Sequence, residues 1–581
     1  MTNAVLIPEY KLNRDYKKKV FINENSKKLN LQYFSNSDST IKYLNLNREE
    51  RIKETEYTEI IISRIIDIVS DALNKIHNEK RSKRYWEIIL RPWLHVFICA
   101  VRNRYRKIEL ILNNNRNINF IGSFSFDNLL IPQDLNHFNK LHCTNDWNNY
   151  IYFKIFEFFS KKKILKKKYT VNKKKLKFSI VRKKAFKHHF DKVMKYLDLG
   201  LNKTFIHESG MNFLNEFFLN LTLLQIPRFY YEEKLNKFSF NYKLRNLLKN
   251  NLNQKNFRNN DKFMNFILKI LPFQFPLNAL EGYKYCKKRS KIQKYPKNPK
   301  VIFTSNSFFS NEMFKFYTAQ MIDKKNPPKY IIGQHGNAYN TDIFNKYITE
   351  FKTPDFFLNW GVKKKNQISF CNFISKEEIY RKSKKKYLLI ILRSRGEKRT
   401  IFDQELHNKQ YEDCILKFLK GINSNKISNV VIKPHFNHNL NSPFYKKIKL
   451  NYPKIQFLDP NYKVSKFFNK CRLVIYNYDA TSYLQLLSSN FPTIAIWPGH
   501  DSHVVSDMRP IYRVLKKNFL WSSNPEIISR ILNRNWNDIT NWWFKKKRQN
   551  AISLIKNSLC KPRKFFFLFE LAKIISLNYK N

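Results

Sequence analysis

Between Arg472 and Pro498 the chain reads RLVIYNYDATSYLQLLSSNFPTIAIWP. An apolar run, Leu473 to Tyr476, stops at a polar turn. A short helical pattern follows, with Tyr483, Leu484 and Leu487 on one side, and Phe491-Pro492 ends it. A second apolar run, Thr493 to Trp497, closes the unit. Strand, loop, helix and strand in this order predict a parallel crossover. Ligands bind such units beyond the carboxyl ends of the strands. Here that place holds Asn477, Asp479, Thr481 and Ser482, at a predicted helix start. Free N–H groups and the helix dipole favour an anion there, typically phosphate. Asp, Thr and Ser are also ordinary capping residues, so a capped structural helix is the competing reading.

The unit is the last of a series. Tyr387 to Leu392, Val430 to Lys433 and Ile455 to Leu458 read as strands. Tyr411 to Leu419, Phe444 to Leu450 and Val464 to Asn469 read as the helices between them. This alternation predicts a doubly wound parallel sheet. Upstream, Val301 to Ser305, Lys329 to Ile332 and Phe356 to Trp360 read as strands of a second α/β unit, with a helix over Glu312 to Gln320. The first third reads mainly helical, led by Tyr57 to Ile76 with Ile60, Ile61, Ile65, Ile68 and Leu73 on its apolar face. Lys161 to Lys187 is extremely Lys-rich, and the stretch 160–300 reads as an insertion.

At 581 residues the chain is too long for one core. Its 43% hydrophobic content argues against global disorder. The net charge of +63 attracts anions of every kind. Yet Lys, Asn, Ile, Phe and Tyr are abundant together, as A/T-rich codons would make them. No zinc-finger spacing or confined basic stripe supports a dedicated nucleic-acid surface, so that partner is the weaker reading. Seven scattered cysteines without C-x-x-C spacing speak against a disulfide framework and for a reducing compartment. The N-terminus lacks the pattern of a signal peptide. No run approaches the roughly 20 apolar residues of a membrane span. The tail from Arg563 to Phe569 mixes charge with aromatics, which suits either a membrane surface or a core-packing helix.

Four clusters fall at predicted strand ends. In Gly333-Gln334-His335-Gly336 the glycines permit a tight turn and close ligand approach, and the histidine has a base's pKa. Glu350 and Asp355 lie near in sequence, and either could orient His335 or act as the base itself. Lys433-Pro434-His435 could hold a diphosphate. Arg393 and Arg395 suit phosphate oxygens. The fourth cluster is Asn477 to Ser482. No P-loop, G-x-S-x-G elbow or D-x-D pair occurs. His500 and His503 are too few to imply a metal site.

The ordered motifs resemble a family of bacterial transferases from surface-polysaccharide and O-antigen gene clusters. They are Tyr85-Trp86 with Pro92 to His95, Ile131 to Asp134 with Trp147-Asn148, and Thr304 to Asn306 with Phe314-Lys315. Gln334 to Gly336, Thr481 to Leu484, Asn490 to Thr493 with Trp497, and Trp536 with Trp542-Trp543 complete the set. Asn337-Ala338-Tyr339 stands where a glycine-rich loop is expected after Gln-His-Gly. The resemblance implies group transfer in envelope carbohydrate assembly.

The expectation is therefore an α/β fold with two Rossmann-like domains facing across a cleft, glycosyltransferase-B-like. An acceptor-side domain is expected over 1–360, a donor-nucleotide domain over 361–535, and C-terminal helices over 536–581. A nucleotide sugar is the expected donor, and a glycan or lipid-linked molecule the acceptor. No metal or resident cofactor is expected, since protein cations would neutralise the donor phosphate. The location expected is cytoplasmic, with peripheral contact to the inner membrane face. A CDP-polyol phosphotransferase of the same fold and a non-catalytic basic nucleic-acid or envelope-binding protein are the alternatives.

Overall fold

The computed structural model describes residues 4–7, 18–21, 39–41, 46–114, 118–120, 127–159, 186–197, 199–230, 235–253, 261–374, 385–394, 400, 408–499 and 501–579. Arg395, His500 and most of the Lys-rich stretch 161–187 lie outside these residues.

Four short strands, β1 (Ala4–Ile7), β2 (Lys18–Phe21), β3 (Ser39–Ile41) and β4 (Ile118–Phe120), form a parallel sheet in the order β3-β2-β1-β4. The sequence shows no such sheet in its helical first third. The helix Arg48–His77 starts in a capping box, with Asn47 and Glu50 bonding each other's backbone N–H. Its buried stripe is Ile61, Ile62, Ile65, Ile66, Val69 and Leu73, spaced for one helical face. Ile60, expected on that face, is exposed instead. A second long helix, Lys83–Asn114, packs on the first and on the helix Glu312–Ile322. Between the two long helices the buried Arg91 guanidinium joins Glu59 and Glu87.

The middle sheet holds β5 (Thr204–His207), β6 (Val301–Thr304), β7 (Lys329–Gly333), β8 (Phe356–Asn359) and β9 (Gln367–Ser369), all parallel and in chain order. β5 and β6 are buried throughout, as parallel strands covered on both faces are. Two boundaries differ from expectation. Thr204–His207 comes from the stretch read as an insertion, yet it forms the sheet's edge strand. β9 carries the sheet past 360; its sequence, Gln-Ile-Ser, is half-buried and has no apolar run to announce it.

The C-terminal sheet holds β10 (Tyr387–Ile391), β11 (Val430–Lys433), β12 (Gln456–Phe457), β13 (Cys471–Tyr476), β14 (Thr493–Ile496) and β15 (Trp521–Ser522). The order β12-β11-β10-β13-β14-β15 is parallel throughout. Counted from β10 it runs 3-2-1-4-5-6, the dinucleotide-binding Rossmann order. The connections diverge between β10 and β13, which makes that gap the topological switch point. The helix expected over Val464 to Asn469 is a 3-10 segment, Val464–Lys470, with no side-chain cap.

The last helices return to the middle sheet. Lys561 N–H donates to Trp360 O at 2.7 Å, and Asn372 N–H to Lys561 O at 2.8 Å. Gly361 permits this crossing: its φ is +138°, and a Cβ there would meet Lys561 Cγ at 3.0 Å. Among the described residues no helix is long and apolar enough to cross a membrane.

Candidate active site

β7 ends at Gly333, where a Cβ would sit 2.7 Å from both Phe373 Cζ and Ser305 Oγ, so only glycine lets the strand pass. The buried Gln334 then braces the turn. Its Oε1 accepts from Trp360 N–H at 2.9 Å, and its Nε2 donates to Gly336 O at 2.8 Å. The turn presents His335 to a cavity of about 670 Å³, lined also by Lys187, Glu208, Glu216, Phe308 and Glu350.

Tyr339 links the two sequence-predicted catalytic residues. Its hydroxyl lies 2.7 Å from His335 Nδ1 and 3.1 Å from Nε2, and donates to Glu350 Oε1 at 3.0 Å. Burial disfavours charge on each group. It lowers the His335 pKa, which keeps the imidazole neutral and able to accept a proton. It raises Glu350 to about 7, against the opposing pull of its backbone and Tyr339 hydrogen bonds. Asp355 is turned away: it accepts from Arg84 at 2.8 Å and from Tyr330 N–H at 2.7 Å.

The far wall comes from β5 and the helix Phe213–Thr222. Glu208, directly after β5, holds a left-handed φ of +47° and accepts from Ser307 Oγ at 3.0 Å. Such strain at a strand end is common in functional sites. Glu216 is buried; burial raises its pKa, while Lys187 Nζ and Ser209 Oγ, each at 2.9 Å, oppose the rise. Tyr339, Glu208, Glu216 and Lys187 escaped sequence reasoning. The apolar run Thr204 to His207 breaking at Glu208-Ser209-Gly210 is the strand-end signal that could have found one wall.

The turn after His335 docks on the C-terminal sheet. Asn337 N–H donates to Thr481 Oγ1 at 2.9 Å, and its Nδ2 to Asp479 Oδ1 at 2.8 Å. Gly336 lies against the same threonine hydroxyl; a Cβ there would be 3.3 Å from it. Farther along, Ile343 N–H donates to His503 O and Val505 N–H to Thr341 O. His503 Nε2 is 3.4 Å from Asp479 Oδ2.

These contacts decide how the 481–488 helix begins. Its N-cap is Ala480, and no side chain caps it. The capped-helix reading therefore fails: Asp479 faces Asn337, Tyr512 and His503, and the Thr481 hydroxyl serves Asn337. Ser482 is half-buried at the first turn.

At the switch point, Arg393 N–H donates to Asn477 Oδ1 at 2.7 Å. The Arg393 guanidinium stacks 3.9 Å from the Tyr411 ring centroid, and its Nε donates to Ser394 O. His438 Nε2 is 2.8 Å from Arg393 O, and Asn437 Nδ2 donates to Ser394 Oγ at 2.9 Å. His435 sits in the same loop, bonded to Asn437 Oδ1 at 2.7 Å. Lys433 is drawn aside, its ammonium donating to Pro434 O and Pro460 O at 2.7 and 2.8 Å. The structure thus groups His335 with Glu350, Asn477 with Arg393, and Gly336 with Thr481, while Lys433 ties its own loop to the one after β12.

The profile of the LIC12162 family transferases matches residues 7–562. The chain belongs to this family. No curated protein matches its sequence. Solved structures overlap it only weakly. TarM is 11% identical, with a TM-score of 0.29 over 48% of this chain and 54% of TarM, so the chain spans about half that protein's length. The Streptomyces sp. SF2575 glycosyltransferase SsfS6, complexed with thymidine diphosphate, is 9% identical at a TM-score of 0.29, over 65% of this chain and 100% of that one. Medicago truncatula UGT71G1, complexed with UDP-glucose, is 9% identical at 0.32, over 67% and 94%. This LIC12162 family transferase carries the Rossmann strand order in its C-terminal sheet.

Several motif residues shared with the family resemblance are structural here. Trp86 Nε1 donates to Asn74 Oδ1 at 2.9 Å, Trp147 Nε1 to Gln274 Oε1 at 2.7 Å, and Trp543 Nε1 to Asn490 Oδ1 at 2.9 Å.

Proposed function

We propose that this transferase moves a sugar from a nucleotide-activated donor to a hydroxyl of a glycan or lipid-linked acceptor, on the cytoplasmic side of bacterial surface-polysaccharide assembly. The observation that carries the reading is the uncapped start of the 481–488 helix. It lies at the carboxyl end of β13, beside the switch point of a Rossmann-ordered sheet, and it is bonded to the turn that bears His335. Free N–H groups there suit a diphosphate. The donor occupies the C-terminal side, with Asn477, Arg393, His435 and Ser482 nearest its nucleotide and phosphates. The acceptor occupies the His335 cavity.

His335 accepts the proton of the acceptor hydroxyl, and Tyr339 and Glu350 hold its ring. The acceptor oxygen bonds the anomeric carbon as the bond to the diphosphate breaks. The charge left on the nucleoside diphosphate is met by the helix start and by protein donors, without a metal. The test is incubation of wild type and His335→Ala with nucleotide sugars labelled in the sugar or in the phosphate next to it. Transfer of the sugar label alone, lost by about 10²–10⁴-fold in His335→Ala, supports the reading. Transfer of the phosphate label means polyol-phosphate transfer, and full activity in His335→Ala removes the assigned base.

A further inference from the structure

An apolar face lies on the other side of the helix that walls the cavity. Glu216 of Phe213–Thr222 points inward, while Leu214, Phe218 and Leu221 of the same helix are exposed at helical spacing. The face continues into a groove of about 570 Å³ between the 222–226 loop, the 199–203 segment and the helix Phe567–Leu577. Leu224 on this groove is 95% exposed, Leu201 74%, and Phe569 is exposed beside them. Phe569 continues into Phe566 and Phe565 through ring contacts at 6.2 and 4.9 Å, and Phe565 is 91% exposed. So many large apolar side chains in one stretch of surface mark an interaction site.

The loop bearing Leu224 is built, not loose. Gln225 clamps Thr204 of β5 by both ends of its amide, at 3.1 and 3.0 Å. Asn202 does the same to the Ile226 backbone, at 2.9 and 3.2 Å. Just before these clamps Leu224 closes the helix at φ +55°, its N–H donating to Leu221 O and the Gln225 N–H to Asn220 O, in the left-handed region a leucine avoids. The clamps satisfy the edge strand, and the helix-closing turn before them leaves an apolar tip in water at a conformational cost.

Charge selects the occupant. Both charged residues lining the groove, Lys203 and Lys573, are cations. Arg563 and Lys564 flank the phenylalanines, with Glu570 the acid that Lys564 meets at 3.1 Å. A chain of net charge +63 repels its own copy and is drawn to an anionic surface. We propose that this face docks on an anionic phospholipid bilayer, with Leu224, Phe565, Phe566 and Phe569 entering the interface and the lysines meeting headgroups. Docking there sets the His335 cavity, one helix away, near acceptors carried in the membrane, a consequence that rests on the proposed function.

The test is cosedimentation of the full chain with phosphatidylglycerol–phosphatidylcholine vesicles and with phosphatidylcholine vesicles, alongside light scattering. The variants are Phe565→Ser and the triple Leu224→Ser/Phe565→Ser/Phe566→Ser, which leave charge unchanged; Phe565 is too exposed for its loss to unfold the chain. Wild type is expected to pellet with the anionic vesicles and partly resist high salt. The triple variant should partition about tenfold or more weakly, and the single variant should fall between. Wild type left in solution overturns the proposal. So does a triple variant that binds like wild type, which would leave only diffuse charge attraction. A wild-type dimer that the triple variant dissolves, without vesicle binding, would assign the face to a second copy.

Discussion

Glu350→Gln isolates the carboxyl beneath His335 and Tyr339. Burial raises the Glu350 pKa from its ordinary 4.5 to about 7. The folded state therefore holds this proton more tightly than the unfolded chain does. The resulting stability is fully present below pH 4.5 and is lost as pH rises through about 7. At about 1.4 kcal/mol per pKa unit, ionising Glu350 costs the native state about 3 kcal/mol. Glutamine keeps an acceptor for the Tyr339 hydroxyl and has no proton to lose. The variant should thus gain about 3 kcal/mol relative to wild type between pH 4.5 and pH 8. Asp134, Glu216, Glu312 and Asp342 are also raised by burial, but they titrate alike in both proteins and cancel in the difference. The assay is the unfolding midpoint of both proteins across this range. Wild type should lose several degrees relative to the variant as pH rises. Parallel curves would refute a half-buried, proton-holding Glu350.

Gly333→Ala should destabilise by about 1–3 kcal/mol, because its Cβ meets the Phe373 ring and the Ser305 hydroxyl; urea midpoints measure it. Asn337→Ala removes the bond to Asp479 and should cost about 1.5–3 kcal/mol, read as faster amide exchange in the turn after His335. Arg91→Met removes the buried cation shared by Glu59 and Glu87; Lys352 still meets Glu59 at 3.1 Å, so the cost should be about 1–3 kcal/mol, read by denaturant unfolding.

In the C-terminal sheet β10, β11, β13 and β14 were legible because they are apolar runs, mostly buried, broken by polar turns, whereas the edge strand β15, only Trp521–Ser522, has no such run. Val430 to Lys433 was placed to the residue. β9 and β5 were not, since Gln-Ile-Ser carries no apolar signal and Thr204–His207 stands alone in a Lys- and Asn-rich stretch. At the candidate site, strand ends located the turns that carry the four clusters, while side-chain direction stayed hidden. Lys433 turns to two carbonyls, Pro434 O in its own loop and Pro460 O in the loop after β12, and nothing in Lys-Pro-His foretells it. Tyr339, four residues after His335, sits in a turn whose sequence has no periodicity to aim a side chain, yet it joins His335 to Glu350. The helix start at Thr481 was ambiguous for a physical reason: Asp479 and Thr481 are capping types, and only their bonds to Asn337 show that they do not cap.

Nucleoside diphosphate binding to Ser482→Asp tests the donor site most directly. An acid in the first turn favours the helix dipole and should raise stability by about 0.3–1 kcal/mol. The same charge repels a diphosphate at the helix start. Titration calorimetry should therefore show affinity falling at least about tenfold, roughly 1.4 kcal/mol, while the unfolding midpoint holds or rises. Unchanged affinity in a folded Ser482→Asp protein would contradict donor binding at this helix.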